Sequence, residues 1–163
     1  MKFQYLWDEE FIFGPDPAVN EKNISMVREF FEKSWDKINH FDILRQQQLN
    51  YALIAFSGLL AFIISTDNTQ MQYTGCCGMV LLMAVFCLHD HRLHKYTHGF
   101  SAAVILQAQA LRDLTNEPGK KVTIRLYRSD AEREAVWKKS HHTRIYFVMI
   151  IATLILSVIL YLY

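Results

Sequence analysis

The sequence has few of the residues that interrupt or cross-link a chain. Among 163 residues there are 3 prolines, 6 glycines and 3 cysteines. The cysteines (Cys76, Cys77 and Cys87) share one apolar run at irregular spacing, which argues against a disulfide framework or a zinc site and favours simple packing. Acidic residues stand near the start of the chain, where a cleavable secretory signal needs an apolar core, so we predict no such signal.

Charge is also missing, but only from three stretches. Each stretch is uncharged for about the 17 residues that cross a thin hydrocarbon core, and none has the one-sided pattern of a half-exposed helix. A chain of 163 residues is too short to hide three such helices in a soluble core. We therefore predict an all-α integral membrane protein with transmembrane helices at about 50–66, 72–88 and 145–163.

Long helices are expected to extend from these spans into the cytosol. No internal repeat or low-complexity linker divides the chain, so we predict a single domain over 1–163. Its predicted parts are an aromatic and acidic arm (1–22), a long helix containing the first span (23–65), the second span with a cytosolic helix (72–115), and a basic segment, helix and third span (120–163).

The basic residues predict the orientation of the spans. The segment 89–144 holds eleven Lys and Arg against six Asp and Glu, whereas the turn 66–73 holds one acid and no base. Because Lys and Arg near spans mark the cytoplasmic side, the amino-terminal part and the middle segment are predicted inside, with the turn and the carboxyl end outside. The predicted membrane-surface bases are Arg92, Lys95, Lys138, Lys139 and Arg144.

An apolar stripe precedes the first span at helical spacing. It consists of Val27, Phe31, Trp35, Ile38 and Phe41. Such a stripe needs a cover, which could be another helix of the same chain, a second copy or a partner protein. The aromatic arm before it has three open interpretations: a grip on a neighbour, an interfacial anchor, or a cap on the protein's own cytosolic part.

Two further patterns concern local structure and helix packing. Alternation at Val122, Ile124 and Leu126 predicts a short edge strand or extended link, and the segment 129–132 has the pattern of a capping box that starts the last helix. Small residues allow close contact between membrane helices. Those predicted to do so are Ser57, Gly58, Ala61, Gly75 and Gly78.

A histidine cluster follows the second span. Asp90, His91, His94 and His98 fall on or near one helix face, and this donor set could bind zinc, copper or iron. The cluster loosely resembles the histidine boxes of membrane di-iron hydroxylases and desaturases, which carry about eight histidines in three boxes, whereas this chain has 7 in all. The alternative is an interfacial helix whose histidines meet lipid headgroups. Apart from this possible metal, we predict no cofactor.

Evidence for other chemistry is sparse. Arg92 and His98 match the R-x(4–6)-H motif of HEPN-type ribonucleases, but two residues in a segment rich in Arg and His match easily by chance. Their position next to a span argues against direct nucleic-acid binding. No phosphate loop, nucleophile–base pair or dinucleotide fingerprint is present, so we assign no catalytic residue and favour a non-enzymatic protein.

The order of helices resembles that of small bacterial membrane effectors of the SLATT type, and of CRISPR-associated membrane accessory proteins. The likeness rests on the helix at 23–50, the spans at 51–65 and 72–88, and the helix at 90–115. The third span departs from the two-span plan. The resemblance implies a bacterial inner membrane, a cytosolic sensor or nucleic-acid-guided partner, and a role in anti-phage defence.

Three hypotheses follow for the function. The first is a self-associating membrane effector whose cytosolic helices assemble copies and respond to a partner, and whose spans form a pore or disturb the bilayer. The second is a non-catalytic adaptor subunit of a larger membrane complex. The third is a metal-dependent membrane enzyme that uses the histidine cluster.

Overall fold

The computed structural model describes residues 10–13, 20–117, 120–128, 131 and 141–162. The described residues form a nearly all-helical structure with one small sheet. The elements in order are β1 (Glu10–Phe13), α1 (Asn20–Ser65), α2 (Thr69–Asn116), β2 (Val122–Arg125) and α3 (His141–Leu162). All three helices are long and apolar enough to span a membrane, which confirms the predicted number of candidate spans.

The first helix is long because nothing in its sequence stops it. Neither proline nor glycine occurs in α1 before Gly58, and the turn between α1 and α2 is only three residues long. Asn68 caps α2, since its Oδ1 accepts the backbone N–H of Met71 at 3.2 Å. The second helix therefore begins at Thr69, three residues before the predicted start of the span, because the Asn68 cap had not been anticipated.

The sheet joins two segments that are distant in sequence. β1 pairs antiparallel with β2, with Phe11 opposite Ile124 and Phe13 opposite Val122. The predicted strand at 122–126 is thus confirmed over Val122–Arg125. Its partner strand was not predicted, because the aromatic arm lacks a clear alternating pattern. Of the three interpretations of the arm, the structure favours a cap on the protein's own fold, because the described residues Glu10–Phe13 pair with β2.

The third helix begins at His141 and continues to Leu162. The predicted capping box at 129–132 and the helix leading to the span lie mostly outside the described residues, as does the last residue of the predicted span, Tyr163. The candidate span itself agrees with the uncharged run from residue 145 onward.

The chain divides into two compact units. The helix–sheet unit comprises the described residues within Met1–Asp42 and Lys95–Lys138, and the span unit comprises those within Ile43–His94 and Lys139–Tyr163. The single-domain assignment stays a prediction.

The apolar stripe is largely covered inside the helix–sheet unit. Val27 is completely buried with Phe13 and Ile124, and Ile38 is buried with Phe100. Trp35 differs, since half of its surface is exposed and its ring stacks on Phe31 at a centroid distance of 6.3 Å. The cover that the stripe requires is therefore supplied mainly by the same chain, with Trp35 left at the surface. These contacts hold α1 against α2 and the sheet.

Tyr127 packs closely against α2 in this unit. Its ring lies against Gly99 of α2, so closely that a Cβ atom at residue 99 would overlap the ring. The next residue, Arg128, donates its backbone N–H to the carbonyl of Gly99 at 3.2 Å. The ring also packs edge-on against Phe100 at a centroid distance of 4.9 Å. The segment after β2 is thus fixed to α2 at a position that requires glycine.

The span unit contains two apolar clusters and a large exposed apolar surface. One cluster includes Met83, Tyr146 and Met149, and the other includes Ile63 and Met79. Only 22 % of the most hydrophobic segment of α1, 22 % of that of α2 and 17 % of that of α3 is buried. Exposed apolar helices of this length need a nonpolar solvent, which is the physical requirement that a lipid bilayer meets.

Candidate functional site: a buried polar junction

Polar side chains from all three helices meet at one end of the span unit. They lie just before the first predicted span, just after the second and around the start of the third. Because most of the surrounding surface is apolar, these groups are the best candidates for a role beyond packing. We call this set the polar junction; it consists of Arg45, Gln48, His89, Asp90, His142, Thr143 and Tyr146.

Asp90 is the centre of the junction and is completely buried. Its Oδ1 accepts a hydrogen bond from Nε of Arg45 at 2.9 Å, and its Oδ2 accepts one from the Thr143 hydroxyl at 2.9 Å. Nδ1 of His142 lies 3.6 Å from Oδ1, beyond hydrogen-bonding distance. One carboxylate on α2 therefore binds directly to α1 and α3.

Gln48 adds a second link between α1 and α2. Its amide nitrogen donates to the backbone carbonyl of Phe86 at 2.6 Å, and its amide oxygen lies 2.6 Å from Nδ1 of His89. Because Gln48 stands one helical turn after Arg45, both side chains project from the same face of α1. The first two helices are thus joined by three polar contacts at this level.

Two buried polar atoms of α3 are left without a hydrogen bond. Neither the hydroxyl of Tyr146 nor Nδ1 of His142 has a hydrogen-bond partner within the described parts of the chain. The Tyr146 ring is completely buried and stacks on Phe86 at a centroid distance of 6.4 Å. Since buried polar groups are nearly always satisfied in native structures, these two atoms need an explanation.

The ion pair between Arg45 and Asp90 has the properties of a contact that stabilises helix packing. The side chain of Arg45 is 10 % exposed and that of Asp90 is not exposed at all, so solvent screens their interaction little. Leaving either charge alone in such a place would cost several kcal/mol. What the described contacts show is that the ion pair and the Thr143 hydrogen bond together join the three helices of the span unit.

The four predicted metal ligands do not come together in the structure as a metal-binding group. Among the described residues, no three His, Cys, Asp or Glu side chains form a group that could hold a metal ion. Both carboxylate oxygens of Asp90 accept hydrogen bonds from protein side chains instead. His91, His94 and His98 also have partners within the fold. The possible metal at this cluster stays a prediction without support from the described geometry.

The predicted packing residues behave in two ways. Gly75 is in close contact with the first helix, since a Cβ atom there would lie 2.8 Å from Cγ1 of Ile63. In contrast, a Cβ atom at Gly58 or Gly78 would have no neighbour within 4 Å. Ser57 and Ala61 are likewise exposed. Four of the five small residues thus make no close packing contact with the described parts of the chain.

A groove separates α2 from α3 within the span unit. Its volume is about 320 Å³, and it is lined by residues between Cys76 and Leu81 of α2 and between Thr153 and Ser157 of α3. The lining is almost entirely apolar. Thr153 turns its hydroxyl to the carbonyl of Met149 at 2.9 Å and so offers little polarity to the groove. An open apolar groove therefore runs beside part of the contact between α2 and α3.

The predicted membrane-surface bases have mixed positions. Arg92 and Arg144 are exposed and Lys95 is half-buried, whereas Lys138 and Lys139 lie outside the described residues. Arg45 is another base close to a span, just before the first one, but it is buried against Asp90. Its role as a partner of a buried carboxylate was missed.

Comparison of the chain with protein families, with curated proteins and with solved structures finds no match. The junction and the unused small residues are therefore interpreted from their own geometry.

Proposed function

We propose that the protein is a non-enzymatic membrane protein whose copies associate through their spans, and that this assembly forms a pore or disturbs the bilayer. The supporting observation is the unused set of small residues on the first two helices. Lipid provides no hydrophobic drive for association, so helices in membranes associate where small residues allow close approach. Gly58 and Gly78 offer such positions, and none of the described residues fills them.

Assembly is also needed for any effect on permeability. The exposed surface of the three helices is apolar, and three helices alone cannot enclose a water path. Copies that associate could create one at their common centre, or could thin the bilayer locally. The helix–sheet unit would respond to a cytosolic partner. Trp35 would contact that partner, because it is the residue of the apolar stripe whose ring is half exposed.

The test is the number of copies per assembly, counted by mass in nanodiscs. Gly58→Leu and Gly78→Leu should reduce the assembly to monomers without unfolding the chain, because the added side chains meet open space in one copy. Ala152→Leu is the matched control, since it enlarges another exposed small residue of a span. A wild-type monomer, or an assembly that survives both glycine variants, would contradict the proposal.

Membrane damage is measured separately. Expression of the wild-type chain should depolarise cells, and Gly78→Leu should remove that effect in proportion to its loss of assembly. If the assembly forms but the membrane stays polarised under triggering conditions, the result supports the association of copies and contradicts the proposed effect on the bilayer.

A further inference from the structure

Several hydrogen-bond donors of α1 and α3 lie around Asp90. Arg45 and Thr143 donate to its two oxygens, while His142 lies 3.6 Å from Oδ1 and Tyr146 lies one helical turn after His142. All three neighbours on α3 therefore project from the part of that helix that faces α2. The hydroxyl of Tyr146 is buried near Asp90 and has no hydrogen bond to the described residues.

The contacts that join α2 to α1 differ from those that join α2 to α3. On the side of α1, Arg45 and Gln48 make three polar contacts with α2, and Gly75 fits closely against Ile63 further along. On the side of α3, the Thr143 hydroxyl donates to Asp90, the Thr153 hydroxyl lies 3.1 Å from Sδ of Met79, and an open groove of about 320 Å³ runs beside the contact with α2. Among the contacts described, the hairpin of α1 and α2 therefore has more polar links, and the groove gives side chains of α3 room to rearrange.

We propose that α3 has a second position on a fixed α1–α2 hairpin, in which the hydroxyl of Tyr146 replaces that of Thr143 as a donor to Asp90. Thr143 and Tyr146 are three residues apart, so the exchange requires a shift along the helix axis of about 4.5 Å or less. Two independent features support this second position: a buried donor that has no hydrogen bond to the described residues in the first, and an open groove along the same helix contact. The inference does not depend on association of copies.

A double-mutant cycle tests the exchange. In the wild-type chain, Tyr146→Phe should change the ratio of folded to unfolded protein by less than about threefold, because the hydroxyl makes no hydrogen bond in the first position. Thr143→Val removes the donor of the first position and should shift the chain to the second. In that background, Tyr146→Phe should lower the same ratio by about tenfold or more.

Natural methionines report the movement without any substitution. Met149 of α3 and Met83 of α2 lie in one buried cluster, so their methyl NMR signals sense the position of α3. In nanodiscs, the wild-type chain should show exchange on the microsecond-to-millisecond scale at Met149, and Thr143→Val should move its signal toward the minor state.

Two results would overturn the proposal. One is a Tyr146→Phe effect of equal size in both backgrounds, which means that the two hydroxyls never substitute for each other. The other is a single Met149 signal free of exchange in the wild-type chain, which means that α3 has one position. The second measurement remains decisive if Thr143→Val does not fold.

Discussion

The guanidinium of Arg45 and the carboxylate of Asp90 form a buried ion pair that bridges the first two helices, with Nε 2.9 Å from Oδ1. Arg45→Gln leaves a buried carboxylate without its counter-charge and should lower the free energy of unfolding by about 3–5 kcal/mol. Arg45→Gln combined with Asp90→Asn should recover much of that loss. The measurement is a denaturant titration of the purified protein in mild detergent, followed by circular dichroism.

Arg92→Gln is the control for this experiment, because Arg92 is an exposed base two residues after Asp90. It should change the unfolding free energy by less than about 1 kcal/mol. Equal effects at residues 45 and 92 would show that the ion pair contributes no more than a surface charge does.

Two glycines of the second helix should respond differently to the same substitution. Gly75→Ala forces a Cβ atom to within 2.8 Å of Ile63 and should destabilise the hairpin by about 1–3 kcal/mol. Gly78→Ala meets open space and should leave the fold of one copy unchanged or slightly more stable. Unfolding in detergent, under conditions where the protein is monomeric, compares the two directly. Equal stability would mean that α1 and α2 are further apart at residue 75 than described.

The contact between Gly99 and Tyr127 predicts a rescue. Gly99→Ala should destabilise the helix–sheet unit, because the new methyl group overlaps the ring of Tyr127. Tyr127→Leu in addition shortens the side chain that is in the way and should restore part of the loss, even though Tyr127→Leu alone removes a buried ring. Hydrogen exchange of the β2 amides measures the effect. If Tyr127→Leu destabilises the Gly99→Ala variant further, overlap with the Tyr127 ring is not the cause of the destabilisation.

The apolar stripe predicts two distinct effects of introducing a charge. Val27→Asp buries a carboxylate in an apolar cluster and should unfold the helix–sheet unit. Trp35→Asp replaces a half-exposed ring and should leave that unit folded while weakening assembly or partner binding. Circular dichroism and particle mass separate the two results. If the Trp35→Asp chain is folded and fully assembled, Trp35 does not contribute to the interface between copies.

The orientation of the spans is tested by reporters. A periplasmic reporter fused to the carboxyl end should be active if that end faces outward, as the distribution of Lys and Arg predicts. The same reporter inserted between Asn116 and Lys121 should be inactive, since this segment is predicted to lie inside. Activity with the opposite pattern would reverse the proposed topology.

The sequence predicts the helices well because their signals are local. Uncharged runs of sufficient length identify the spans, and the absence of proline and glycine before Gly58 explains why α1 continues without a break from the apolar stripe into the first span. The pairing of Glu10–Phe13 with Val122–Arg125 could not be predicted in this way, since β1 shows no strand pattern of its own and gains its partner only through the fold.

The ion pair was predictable in principle. Arg45 precedes Asp67 by 22 residues, and Asp90 follows Asn68 by 22, so the two residues lie at equal distances from the turn of an antiparallel hairpin. Opposite charges at the same level of a hairpin are candidates for pairing. The contribution of α3 was not predictable, because no spacing in the sequence shows which residues of a separate helix reach Asp90.

The pairing of β1 with β2 has a consequence for synthesis on the ribosome. More than 100 residues separate Phe13 from Val122, and both hydrophobic helices of the hairpin are made between them. The first strand therefore cannot pair with β2 until both long helices have been translated. During this interval it is exposed to wrong pairing, including pairing with other nascent chains. Completion of the helix–sheet unit is thus a late event, which can follow only after both helices of the hairpin have been made and the antiparallel hairpin has brought the two strands together.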